Sequence, residues 1–310
     1  LDVGLIHETL THGSYKLVTM VHNETSTGAV YTNVGEIATL AHTHGALFLL
    51  DAISSLGGAE LPTDAWDIDL CVACSHKAIA APIGHAYVAV SDRAWTVMEQ
   101  RQEPCRNVFG NLLVWKAQPA EHPRGGRPMR RPHGVFTAVH LFYALHEALT
   151  MILEEGLAAR FARHTLNAHA FRAGLTALGL RPLAQPELAS PTVTCLPLPE
   201  GVCPADVLTP LQQDHGIFTL PGIGPYHDTA IRIGHMGVTA IPRCILPTLY
   251  ALESVLATLG YRMTPGAAVQ RVHGPAQLAA SQRRPLDAGG GAARGAGSDA
   301  GGTGAQGGPE

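Results

Sequence analysis

Apolar residues fall in short blocks along the first half of the chain, each closed by a small, polar or glycine-rich turn. Residues 16–21, 46–50, 68–73 and 85–90 read as buried strands, since continuous apolar runs of this length between turn formers suit a sheet covered on both faces. Between the first two, residues 33–44 read as a short helix with Gly45 in the C′ position just past its end. The alternation predicts an α/β domain with a large, mostly parallel sheet over residues 1–135. Within it, residues 101–133 are polar and rich in Pro, Arg and Gly, which predicts a long irregular connection near a subunit interface or a site mouth. Its basic cluster, Arg124, Arg127, Arg130 and Arg131, reads as a solvated loop face rather than an anion site.

A helical pattern then takes over. Leu141, Leu145, Leu149 and Ile152 recur on one face, widened by Phe142 and Leu153, and predict a long connecting helix over residues 136–165. A smaller α+β domain follows over residues 166–263. It is expected to hold a strand at 192–196, a helix at 204–215 ended by Gly216, a strand around Arg232 and a closing helix at 241–259. Pro242 suits the first turn of that helix, whereas Pro247 predicts a kink or a later start. From Thr264 the composition shifts to Gly, Ala and Ser, and residues 264–310 read as a low-complexity tail without a packed core.

Composition narrows the function classes. With 46% hydrophobic and 15% charged residues, the chain has enough apolar material for two cores. A net charge of −4 argues against a nucleic-acid partner, and no apolar run reaches the length of a membrane span. Six cysteines without a visible signal peptide predict reduced thiols in a soluble intracellular protein, with cytoplasm, mitochondrion and peroxisome undistinguished. Cys71 and Cys74 have metal-site spacing but no second ligand pair, and they lie in a buried strand, so they read as core thiols and no metal site is expected. His42 and His44 read as partners of a helix end, not as ligands, and Gly222-Ile223-Gly224 lacks the context of a dinucleotide fingerprint.

The chemistry concentrates at two strand ends. Lys77, one of three lysines, leaves the strand at 68–73 into the small, apolar turn Ala78-Ile79-Ala80-Ala81-Pro82-Ile83-Gly84. Desolvation there disfavours the ammonium form and favours an amine nucleophile able to form a Schiff base, with pyridoxal phosphate the usual partner. A stem packed on the turn with its head in water is the plainer alternative. Asp51 closes the preceding strand, at the carboxyl end where α/β proteins place ligands, and a carboxylate there suits a protonated pyridine nitrogen. A helix cap is the alternative for Asp51 taken alone. Arg232 lies inside a short apolar strand, which is costly unless a carboxylate faces it.

Four segments, in order and spacing, resemble the class V aminotransferases, a branch of the fold-type I pyridoxal phosphate enzymes, and most of all the alanine–glyoxylate aminotransferase group. They are Val21-His22-Asn23-Glu24-Thr25-Ser26-Thr27-Gly28, the stretch from Leu50 to Gly58, the stretch from Ser75 to Gly84, and Ile231-Arg232-Ile233-Gly234-His235-Met236-Gly237-Val238-Thr239-Ala240. The resemblance runs to about Arg262. It implies a homodimer in which Lys77 holds the cofactor and shuttles a proton, Asp51 pairs with the ring nitrogen, Thr25 hydrogen-bonds the ring or its phenolic oxygen, and Ile53 packs on a ring face. Arg232 would clamp the substrate carboxylate. His76 stands where many relatives have a Gln on the cofactor phosphate, and Thr137 takes the place of a segment that reaches the partner's phosphate. The implied reaction moves an amino group from a small amino acid, alanine or else serine or ureidoglycine, to glyoxylate.

The family's N-terminal part, with its phosphate loop, is not readable, so the sequence is expected to be a fragment or incomplete. Two other readings accompany this one. A related lyase or desulfurase would need a reactive cysteine, for which Cys105 is the candidate. A truncated, non-catalytic paralogue would keep the fold without the chemistry.

Overall fold

The computed structural model describes residues 2–107, 109–116 and 138–272. The chain opens with α1 (Val3–His12), capped by Asp2, whose side chain accepts a hydrogen bond from the Leu5 amide. Then come β1 (Leu17–Val21), a small hairpin of β2 (Asn23–Glu24) and β3 (Ala29–Val30), and α2 (Val34–Thr43). Three further strands, β4 (Leu47–Asp51), β5 (Leu70–Cys74) and β6 (Ala86–Val90), complete a four-stranded sheet in the order β1-β4-β5-β6. The first three strands are parallel and β6 is antiparallel, so the mostly parallel sheet anticipated from the sequence is present.

Helix α2 covers one face because Val34, Ile37, Ala38 and Ala41 recur at helical spacing and are fully or almost fully buried. They meet Met20, Phe48 and Leu50, the inward half of the strand alternation. Each large apolar side chain buried here stabilises the sheet by roughly 1.5–3 kcal/mol. Gly45 follows at φ +74, a left-handed conformation that a residue with a Cβ adopts only under strain. On the opposite face, Leu17, Val21 and Val88 are exposed.

Helices α3 (Asp92–Glu99) and α4 (Leu112–Lys116) follow. Thr137 and the basic cluster at 124–131 lie outside the described residues. The long connecting helix expected through residue 165 is instead two helices, α5 (Val139–Glu155) and α6 (Leu157–Ala177), because Gly156 adopts φ +81 between them. The second half carries β7 (Val193–Pro197), α7 (Pro204–Gln213), β8 (Leu220–Pro221), β9 (Ala230–Gly234), α8 (Pro242–Thr258) and α9 (Ala267–Val272).

Strands β7, β9 and β8 form an antiparallel sheet in that order, with α6, α7, α8 and α9 contributing to the core against it. Pro247 neither ends α8 nor shifts its start. Burial of Ile245, Leu249, Leu252, Val255 and Leu256 outweighs the ~3 kcal/mol a mid-helix proline costs. The first part of the expected tail is also ordered: α9 packs against α6 and α8, with Ala268 fully buried.

Candidate active site

The carboxyl ends of β1, β4 and β5 form one edge of the large sheet, and most of the sequence-derived candidates collect there. Asp51 is the last residue of β4 and pairs in register with Val21 on one side and Val72 on the other. The chain turns sharply after it, and Asp51 Oδ1 accepts a hydrogen bond from the Ile53 amide at 2.8 Å, which fixes the carboxylate and the Ile53 turn together. One strand over, β5 ends at Cys74 and enters the turn that carries His76 and Lys77.

That turn is tightly tied. The Ser75 hydroxyl donates to the Pro82 carbonyl at 2.6 Å, and the Ala80 and Ala81 amides donate to the Lys77 and Ser75 carbonyls. Ala80 sits at φ +63, a left-handed conformation that costs a non-glycine residue on the order of 1 kcal/mol. Such local strain persists only where the surroundings over-determine the backbone. Lys77 is half-buried, and among the described residues its ammonium has no salt-bridge partner. His76 is exposed, with Nε2 3.7 Å from Cys74 Sγ.

Thr25 occupies the β2–β3 hairpin turn and its hydroxyl lies 3.0 Å from that of Ser54, in the turn after Asp51. The hairpin closes at Gly28, φ +71, where a Cβ would stand 2.8 Å from the Cys195 amide nitrogen. Cys195 is in turn the register partner of Arg232. Asp51, Ile53, Thr25 and Arg232 are thereby linked through consecutive contacts. On β9, Ile231 and Ile233 enter the apolar core, while Arg232 takes the other face with Cys195 and Leu220. Its Nε donates to the Pro221 carbonyl at 2.8 Å. Neither of its terminal nitrogens has a carboxylate partner among the described residues. Burial holds its pKa below the usual arginine value, opposed by the neighbouring Cys195 thiol.

The chain leaving β9 then returns to the lysine. Gly237, at φ +60, packs so closely on the Lys77 turn that a Cβ would stand 2.9 Å from Ala80 Cβ and 3.2 Å from the Ala78 carbonyl oxygen. The turn after Asp51, the Lys77 turn and the exit of the Arg232 strand thus touch, whereas Thr137 lies outside the described residues. Cys105 donates weakly to the Asn107 carbonyl at 3.7 Å.

Sequence reasoning missed a buried polar layer beneath these residues. His22 Nδ1 lies 3.0 Å from Ser55 Oγ, its ring stands edge-on to Trp66, and burial pushes its pKa down to about 4. Asn23 donates to Thr192 Oγ1 at 3.1 Å, and Thr192 donates to the Ser54 carbonyl at 2.9 Å. The Asn23 Oδ1 atom is buried without a hydrogen-bond partner among the described residues. On α6, Arg160, Arg163 and His164 hold backbone groups of the surrounding turns. The one visible signal for this was a run of polar residues at positions i, i+3 and i+4 of a helix otherwise read by its apolar stripe.

The family model for aminotransferase class-V matches residues 1–224. The chain belongs to the class-V aminotransferases. An uncharacterized aminotransferase of Methanocaldococcus jannaschii is 36% identical over 248 residues, 80% of this chain and 62% of the relative. Among solved structures, ureidoglycine–glyoxylate aminotransferase from Bacillus subtilis superposes with a TM-score of 0.80 at 31% identity, over 88% of this chain and 68% of that one. Alanine–glyoxylate aminotransferase from Nostoc gives 0.75 at 30% identity, over 83% and 66%. The chain spans 62% of the length of the Methanocaldococcus relative, and the expected fold-type I architecture is present.

Pyridoxal phosphate is the cofactor of this family. The candidate site fits that group: a half-buried amine without an ion partner among the described residues, a strand-end carboxylate oriented by a backbone amide, and a guanidinium whose terminal donors meet no carboxylate among those residues.

Proposed function

We propose that this chain carries the site of an aminotransferase that moves an amino group from a small amino acid, alanine first among the donors, to glyoxylate, with pyridoxal phosphate held by Lys77. The observation that carries the reading is the return of the β9 exit onto the Lys77 turn, since it brings the strand of a carboxylate-binding arginine to a nucleophilic amine. The names of the relatives support glyoxylate as acceptor; those relatives differ in donor, ureidoglycine in one and alanine in another. A homodimer is part of the same reading.

The residues divide the work by their chemistry. The cofactor supplies an electron sink for negative charge at the substrate Cα. Asp51 keeps a proton on the pyridine nitrogen, the arrangement that makes the sink effective. The Lys77 amine removes the Cα proton and later returns one, acting as the acid–base group of the site. Arg232 grips the donor and acceptor carboxylates with its two terminal nitrogens, because its Nε is already committed to Pro221. Thr25 would hydrogen-bond the ring oxygen, Ile53 would pack on the ring face and His76 would contact the phosphate, while Thr137, outside the described residues, would reach the partner's phosphate.

The test is to add pyridoxal phosphate to the purified chain and to a Lys77→Ala variant and record visible absorbance. A band that needs Lys77, and that responds to alanine and then to glyoxylate, supports the reading. An equal band in the variant, or none in the parent chain, overturns it.

A further inference from the structure

Helix α6 buries a guanidinium, and that is costly unless every donor is used. Arg160 is 4% exposed. Its Nε donates to the Gly57 carbonyl at 2.7 Å and a terminal nitrogen donates to the Ala78 carbonyl. Gly57 closes the turn that follows Asp51, and Ala78 is the residue after Lys77. One turn further along the helix, Arg163 donates to the Gly237 and Ala240 carbonyls at 3.0 and 2.9 Å. Both belong to the segment that follows Arg232.

Two elements join these halves. Glu155, at the end of α5, accepts from both arginines. Burial works to raise its pKa, but the hydrogen bonds and charge of Arg163 and Arg160 outweigh it and hold it below the usual glutamate range. His164 accepts from the Gly237 amide at Nε2, 2.9 Å, so Nδ1 carries the hydrogen and donates to the Arg160 carbonyl at 2.8 Å. None of these side chains belongs to the reacting set, yet their partners are the backbone of the turns that carry it.

We propose that α6 is a positioning element with divided labour: Arg160 sets the Asp51 and Lys77 turns that hold the cofactor, and Arg163 sets the Arg232 strand exit that holds the substrate carboxylate. Glu155 and His164 keep the two settings in register. The inference rests on the functional reading above and adds to it a separation that scaffold glue would not produce. A purely structural role would lower cofactor affinity, substrate affinity and stability together.

The experiment compares Arg160→Gln and Arg163→Gln in the full chain, with Arg163→Lys as a milder variant should the glutamine form fold poorly. Pyridoxal phosphate affinity is read by absorbance titration and borohydride trapping on Lys77, alanine affinity by spectral titration of the loaded chain, and backbone opening by amide hydrogen exchange without cofactor. Arg163→Gln is expected to weaken alanine binding about tenfold and to leave cofactor affinity within about twofold, with faster exchange at residues 234–241. Arg160→Gln is expected to show the reverse, with faster exchange at residues 53–59 and 76–81. Both variants weakening both ligands by the same factor, or changing only the urea midpoint, overturns the proposal. If the parent chain takes up no pyridoxal phosphate, the functional reading fails, and the exchange pattern alone decides the inference: separate opening of the two segments supports it, and joint opening overturns it.

Discussion

Three buried histidines should make this chain acid-labile well above the range of its carboxylates. Burial pushes the pKa of His22 and His164 down to about 4 and that of His235 to about 3. Each is neutral in the fold and geometrically committed: His22 to Ser55, His164 between the Arg160 carbonyl and the Gly237 amide, His235 to Thr194 at 2.8 Å. The neighbouring arginines reinforce burial, Arg163 and Arg160 at His164 and Arg172 at His235, and among these charges Glu155 beside His164 partly offsets it. A depressed folded pKa means that the unfolded chain binds the proton first. The stability these groups contribute is therefore complete above the unfolded value of about 6.5, and it falls with pH until the folded value is reached. The slope is about 1.4 kcal/mol per pH unit per histidine, or roughly 2 kcal/mol each near pH 5 and about 6 kcal/mol for the three. That rivals the whole stability of an ordinary domain, about 5–15 kcal/mol. Urea denaturation across pH 7.5 to 5 should show a steep loss, and His164→Gln should remove about one third of the slope. Asp69 and Glu155, whose pKa values are also held down, lose their contributions only as pH falls through their folded values, below the ordinary carboxylate range. A stability flat between pH 7 and 5 would refute the reasoning.

Two further outcomes follow from named contacts. Arg232→Gln removes two free, charged donors worth about 1.5–3 kcal/mol each, so the loaded chain should bind alanine roughly 100- to 10,000-fold more weakly, and Arg232→Lys should recover only part; a loss under about tenfold in a spectral titration counts against the clamp. Asp69 is fully buried at the amino end of β5 and accepts from the Phe48 amide, His42, Ser91 and Arg93, so Asp69→Asn should cost about 2–3 kcal/mol in urea at pH 7, with the deficit shrinking below about pH 4, while cofactor uptake by the folded variant is unchanged.

What the sequence reveals and hides here has a physical basis. Strand ends are legible because an apolar run that stops at Asp51, or opens into the Lys77 turn, changes character within a few residues. Helix α2 is legible because its buried face repeats within ten residues. The break at Gly156 escapes because the apolar stripe from Leu141 to Ile152 carries no mark of the positive φ that follows. Helix α9 escapes because six residues with two buried side chains make no period, and what orders them is contact with α6 and α8. The α6 arginines escape more completely, since Arg160 reaches a carbonyl 103 residues away and Asn23 reaches a side chain 169 residues away. A backbone carbonyl has no residue identity, so no spacing in the sequence announces it as a partner.

The distribution of buried polar groups gives the site its logic. Two apolar clusters hold the large and small sheets. Between them, His22, Asn23, Ser54, Ser55, Arg160, His164, Asn167, Ser190, Thr192, Thr194 and His235 are all buried, and the candidate residues stand along that seam. An apolar seam would cost less in desolvation, but such a face tolerates sliding, because many packings bury similar area. A hydrogen-bonded seam tolerates little, since each displaced donor left without water loses on the order of 1–3 kcal/mol. The Lys77 turn and the exit of the Arg232 strand meet, and in the proposed reaction their cooperation depends on a fixed separation. In the proposed reaction, the costly buried polarity lies where an error of an ångström would separate the amine from the guanidinium with which it shares a substrate.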